Sequence, residues 1–197
     1  MTGKNQNSPN QNSPNKNRKI SKFLSYILRH KPESIGLELS ETGWANLTDL
    51  MDCAAKHGTQ LTRSQIETVV RTNNKQRFSL SEDKQQIRAN QGHSIKVNLG
   101  LEAIAPPTTL YHGTATKYID AITQQGLKPQ KRHHVHLSQD LETATKVGQR
   151  HGKPVILRIN AQQMHQDGHL FYRSENGVWL TDTVAPAYFK IISKTEA

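Results

Sequence analysis

The sequence predicts an α+β protein of two lobes, the first made of three helices closed by a β-hairpin and the second of short, mainly antiparallel strands. Three observations point there. Apolar residues recur at helical spacing in three stretches between Ile20 and Val70, and a strand, turn and strand pattern follows them. Beyond a Pro106-Pro107 break the texture changes to short strands separated by loops.

Taken in order, residues 1–18 contain QNSPN twice in succession and offer almost no apolar side chains to offset the entropy of ordering. A disordered extension is expected. From Ile20 the positions Phe23, Leu24, Ile27 and Leu28 line one helical face, with Arg29 and His30 in the last turn and Pro32 forcing the exit. A second helix follows Trp44 through Leu47, Leu50 and Met51 and stops at Gly58. The third opens with a capping box, Thr62 and Gln65, carries Ile66, Val69 and Val70, and breaks at Asn73-Asn74. Residues 77–80 and 87–89 then form the hairpin. Three helices and a hairpin make a winged-helix pattern, so residues 19–102 form one lobe, 103–109 a linker, and 110–197 the second lobe.

In that second lobe, strands are expected at 110–111, 135–137, 155–159, 177–181 and 188–192. Two helices interrupt them: one from Thr116 to a stop at Gly126, the other after Ser138, a good N-cap, to Gly148. Trp179 suits the core. The absence of a GxGxxG motif after a first strand argues against a Rossmann dinucleotide site.

Composition narrows the function. The chain of 197 residues has a formal net charge of +10, and the basic excess is spread along its length, which favours a polyanionic partner. Mean hydropathy is -0.74, and no run approaches the ~20 apolar residues of a membrane span. Cys53 is the only cysteine, and the N-terminus lacks a secretory pattern, so a cytoplasmic protein without a disulfide is expected.

The chemistry-bearing residues cluster at the edges of elements. Arg29-His30 ends a helix, Arg77 opens a strand, and Arg132 precedes another, and a guanidinium fork is suited to phosphate at any working pH. Leu110-Tyr111-His112-Gly113-Thr114 reads as a strand end before a helix, where backbone N–H groups and Gly113 would admit a diphosphate. Seven of the ten histidines fall in the second lobe. His134 and His136, on one face of a strand, with His112 as a third ligand, would suit zinc, but no cysteine or HExxH spacing accompanies them. No metal is expected.

Seven ordered motifs go further: FLSYILRHKPESIGLELSETGWANLTDL, KQRFSL, IRANQGHS, LYHGT, RHHVHLS, KVGQRHG and ENGVWLT. They occur in order and resemble the RNA 2′-phosphotransferase (KptA) family, in a match that runs from about residue 21 to residue 192. The resemblance implies a winged-helix RNA-binding lobe joined to an ADP-ribosyltransferase-like lobe. It implies Arg29, His30, Arg77 and Arg132 as catalytic residues, with His112, Gly113, Thr114, Ser138 and Arg150 for NAD and Gln91 and His93 for RNA. NAD would be consumed as a co-substrate, and the partner would be a tRNA-like RNA bearing a 2′-phosphate, met by a monomer in tRNA splicing or RNA repair.

The implied reaction has two steps. The RNA 2′-phosphate attacks the nicotinamide ribose carbon and expels nicotinamide, and a ribose hydroxyl then attacks phosphorus, freeing a 2′-OH and ADP-ribose 1″,2″-cyclic phosphate. A phosphate monoester, with a second pKa of about 6, is already mostly dianionic at neutral pH, so no strong base is needed and Glu175 is left without a role. Two alternatives keep parts of this picture: ADP-ribosylation of terminal nucleic-acid phosphates that stops at the first step, and a non-catalytic winged-helix protein reading DNA with residues 62–73.

Overall fold

The computed structural model describes residues 14–192 and contains helices and antiparallel sheet, an α+β chain. The chain divides into two units, one running to Asn90 and including Ile95–Val97, the other made of Gln91–Ser94 and the chain from Asn98 onward. Among the described residues no helix is long and apolar enough to cross a membrane.

The first unit opens with α1 (Pro14–Arg29). Residues 14–18, expected in a disordered extension, are therefore helical, while residues 1–13 lie outside the described chain. Helix propagates outward from a buried stretch at one backbone hydrogen bond per residue, and proline is tolerated in a first turn. Ile20, Leu24, Ile27 and Leu28 are the buried stripe. After a 3-10 turn at Pro32–Ile35, β1 (Ala45–Asn46) leads into α2 (Leu47–Lys56), whose cap Asn46 accepts hydrogen bonds from the Thr48 and Asp49 amides. Helix α3 (Arg63–Thr72) begins with the expected Thr62–Gln65 capping box.

Strands β2 (Phe78–Leu80) and β3 (Gln86–Ala89) form the hairpin, with Ser79 opposite Arg88. The sheet order is β1-β3-β2. Leu24, Ile27, Leu47, Leu50, Ile66 and Ile87 are sealed in the core beneath it. The short strand β1 carries no two-residue period of its own and exists because Ala45 pairs with Ile87, a partner far along the chain.

The second unit contains two three-stranded antiparallel sheets. The first runs β4 (Thr109–Ala115), β6 (Pro154–Asn160), β9 (Phe189–Ile192). The second runs β5 (Val135–Leu137), β8 (Trp179–Thr181), β7 (Tyr172–Arg173). Two reciprocal backbone bonds of 2.8 Å between Tyr111 and Ser138 join them. Helix α4 (Ile119–Gln125) ends at Gly126, whose φ of 75° and closeness to the Val184 carbonyl both demand glycine. Leu110, Leu137, Leu157, Ile159, Met164 and Phe171 are buried between these elements, and Trp179 joins them as expected.

Helix α5 (Leu141–Gly148) is capped by Asp140, whose carboxylate accepts from the Thr143 amide at 2.7 Å. Ser138 does not cap it, because its backbone is committed to the bridge with Tyr111. A short α6 (Ala161–Gln166) follows β6, capped by Asn160.

Candidate active site

In the first unit the loop from Asn73 to Arg77 does most of the positioning. Helix α3 stops at Thr72, the Gln76 amide donates to the Asn73 carbonyl at 2.7 Å, and Gln76 takes a left-handed φ of 41°. The left-handed region costs an L-residue with a Cβ about 1–2 kcal/mol. Asn90 holds it in place, donating from its side chain to the Gln76 carbonyl at 2.8 Å and from its backbone to the Arg77 carbonyl at 2.9 Å.

Arg77 enters β2 from this bend, and its Nη1 donates to Asn73 Oδ1 at 3.2 Å. Arg29, the last residue of α1, reaches the same place: its Nη2 donates to the Arg77 carbonyl at 3.4 Å, and its guanidinium lies 6.0 Å from the Phe78 ring centroid. His30 follows directly, half-buried, its amide bonded to the Tyr26 carbonyl at 3.0 Å. The structure thus brings Arg29 and Arg77 together from opposite ends of the unit's sequence.

In the second unit His112 on β4 donates from Nδ1 to the His136 carbonyl at 2.9 Å. That bond fixes the neutral tautomer and leaves Nε2 as an acceptor. Arg132 follows a tight turn in which Gln130 has a φ of 58°, and its Nη1 donates to His136 Nδ1 at 3.1 Å. Because a guanidinium only donates, this places the His136 proton on Nε2. Burial is the main cause that lowers the His112 pKa, and the positive charges of Arg132 and His151 lower it further against the opposing backbone bond. His112, Arg132, His136 and His151 are therefore one cluster.

Burial also lowers the pKa of both Arg77 and Arg132, with no neighbouring charge contributing. Among the described residues neither guanidinium has a carboxylate within ion-pair distance. A surface pair such as Arg63 and Glu67, 3.2 Å apart, satisfies its own charge. Arg77 is half-buried and Arg132 exposed at the surface, and a guanidinium without a carboxylate is free to take an anion from outside.

Other expected residues are placed differently. His112, Gly113 and Thr114 are not a strand end before a helix: they lie inside β4, paired with Leu157, Ile156 and Val155. The glycine makes room for α5, since a Cβ on Gly113 would stand 1.7 Å from the Ala144 carbonyl oxygen. Close approach is real there, but the approaching group is protein backbone. Arg150 is exposed in a 3-10 turn beside His151. Gln91 is half-buried and His93 is only 2% exposed.

His134 and His136 have separate partners, with His134 Nε2 3.8 Å from Asp182 and its ring against Tyr172. Among the described residues no group of three potential ligands could hold a metal. Glu175 is exposed in the turn before β8. Two contributors had no clear signal in the sequence. Asn73 reads there as a helix stop, and His151 as one histidine among many.

Comparison with known proteins identifies the family of the chain. A probable RNA 2'-phosphotransferase of Acaryochloris marina is 59% identical over 172 residues, covering 87% of this chain and 95% of that one. One from Pectobacterium carotovorum is 58% identical over 166 residues, covering 84% and 89%. Another, from Flavobacterium johnsoniae, is 51% identical over 176 residues, covering 89% and 97%. A family model described as RNA 2'-phosphotransferase, Tpt1 / KptA family, matches residues 15–183, and the chain belongs to that family.

Proposed function

We propose that this protein removes an internal 2′-phosphate from RNA by transferring it to NAD, acting as a monomer in the cytoplasm. The observation that carries the reading is that two arginines have no carboxylate within ion-pair distance among the described residues, the half-buried Arg77 in the first unit and the exposed Arg132 in the second. We read the first unit as a winged-helix RNA-binding lobe and the second as an ADP-ribosyltransferase-like lobe.

The residues fit both substrates. Arg29 and Arg77 offer forked donors for a phosphate dianion, and His30 supplies a further hydrogen bond or the proton for the departing oxygen. His112, held neutral by burial and with Nε2 open as an acceptor, suits a ribose hydroxyl, and Arg132 orients phosphate against that ribose. Ser138 and Arg150 are assigned to the dinucleotide by the family resemblance. Gly113 and Thr114 serve through the backbone path of β4; Gln91 and His93, which belong to the second unit, are assigned to the RNA side by the family resemblance, His93 from a buried position.

NAD supplies an electrophilic ribose carbon with nicotinamide as leaving group. The RNA phosphate, already dianionic, bonds to that carbon, and attack by the neighbouring hydroxyl on phosphorus then releases 2′-OH RNA and ADP-ribose 1″,2″-cyclic phosphate. Arginines spread the negative charge on phosphorus in this second step, so positive charge comes from the protein itself.

The test is incubation with NAD and an oligonucleotide carrying a labelled internal 2′-phosphate, followed by identification of the labelled small molecule. ADP-ribose 1″,2″-cyclic phosphate is the expected product. Label released as inorganic phosphate, label retained on a stable ADP-ribosylated RNA, or duplex DNA binding with no NAD-dependent product would overturn the reading.

A further inference from the structure

We propose that Asn73 is a positioning residue that aims the Arg77 guanidinium at the RNA phosphate, an inference that rests on the phosphotransferase reading above. Its side chain makes three hydrogen bonds. One is local: Oδ1 accepts from the Lys75 amide at 3.0 Å, a turn-closing bond of the kind that Asn, Asp or Ser forms after a helix. The other two are not needed to stop α3. Oδ1 also accepts from Arg77 Nη1 at 3.2 Å, and Nδ2 donates to Ser21 Oγ on α1 at 3.1 Å.

The amide therefore ties the guanidinium of Arg77 to the helix that ends in Arg29. Arg29 returns the link by donating to the Arg77 carbonyl at 3.4 Å. Arg77 is fixed at both ends, its backbone by Asn90 and Arg29 and its head group by Asn73. The choice of an amide has a chemical reason. A guanidinium has five N–H donors, and a neutral carbonyl oxygen uses one while leaving the full positive charge for a phosphate. A carboxylate at position 73 would hold Arg77 at least as firmly but would neutralise it.

This distinction separates positioning from a helix-stop role. The measured quantity is the preference for phosphate, the ratio of Kd for a 2′-OH oligonucleotide to that for the same oligonucleotide with a 2′-phosphate, together with the single-turnover rate in NAD. The proteins are wild type, Asn73→Ala, Asn73→Asp, Arg77→Ala and the Asn73→Ala/Arg77→Ala double variant. Asn73→Ala should lower the preference about tenfold, the scale of a lost hydrogen bond to a charged group. Asn73→Asp, which keeps the Lys75 bond and so the turn, should lower it further. The double variant should match Arg77→Ala alone, because Asn73 acts through Arg77.

An Asn73→Asp protein with wild-type preference would overturn the proposal, as would a double variant whose losses simply add. If Asn73→Ala does not fold, the Asp variant still decides. A wild-type protein indifferent to the 2′-phosphate overturns the phosphotransferase reading and this role with it. A wild-type preference that Arg77→Ala abolishes and neither Asn73 variant alters overturns this role alone.

Discussion

Gly113 of β4 lies directly beneath Ala144 of α5, so close that a Cβ on the glycine would come 1.7 Å from the alanine carbonyl oxygen. Gly148 makes the reciprocal approach, where an added Cβ would stand 2.7 Å from the Thr114 carbonyl oxygen. Neither obstacle is a flexible side-chain end. Gly113→Ala should therefore destabilise the second unit by at least the ~1–3 kcal/mol of ordinary overpacking. A thermal melt in the absence of NAD checks it; an unchanged melt with weakened NAD binding would instead return the glycine to a ligand-facing role.

The arginines test the site directly. Arg29→Ala, Arg77→Ala and Arg132→Ala are each expected to lower turnover on a 2′-phosphorylated oligonucleotide by about 100- to 1,000-fold, the usual cost of losing one preorganised donor. Arg77→Lys should recover little, since an ammonium keeps the charge but not the forked geometry that Asn73 holds. Rates measured at saturating NAD with folded variants decide this.

Acid should weaken the second unit. Burial is the first cause that holds both His112 and His134 below the ordinary value of 6.5, with Asp182 partly opposing it at His134. Each therefore stays neutral in the fold at a pH where the unfolded chain takes up a proton. The contribution to stability is complete above pH 6.5 and declines as pH falls below it. His112→Asn keeps a donor for the His136 carbonyl and removes one titration, so its melting temperature should fall less than wild type between pH 7 and pH 5, a window set by that lowered pKa.

Asp140 and Ser138 can be told apart by the same measurement. Asp140→Ala removes the acceptor for the Thr143 amide at 2.7 Å and should cost about 1 kcal/mol. Ser138→Ala should leave the stability of α5 unchanged, because Ser138 meets Tyr111 through its backbone.

These cases show what could be read from residue order. The helices of the first unit were legible because their stripes and the Thr62–Gln65 box are local patterns, and all three appear near their expected places. Arg29, Arg77 and Arg132 were legible as cations at element edges and through the family motifs. The course of β4 was not, since Gly113 and Thr114 are held in a strand by Ile156 and Val155, some forty residues on. The cap of α5 was misplaced by two residues because Ser and Asp are both good caps and only pairing with Tyr111 distinguishes them. Asn73 looked like a stop signal because its bonds to Ser21 and Arg77 depend on tertiary contact.

The stitch between Tyr111 and Ser138 also fixes where the two sheets of the second unit meet. His112 belongs to the sheet on one side of that seam, and on the other His136 lies within β5, with Arg132 just before it. Both bonds of the seam run from main-chain N–H groups, so at positions 111 and 138 only a proline would remove a donor, and the placing of His112 against the His136 carbonyl tolerates other side-chain changes there.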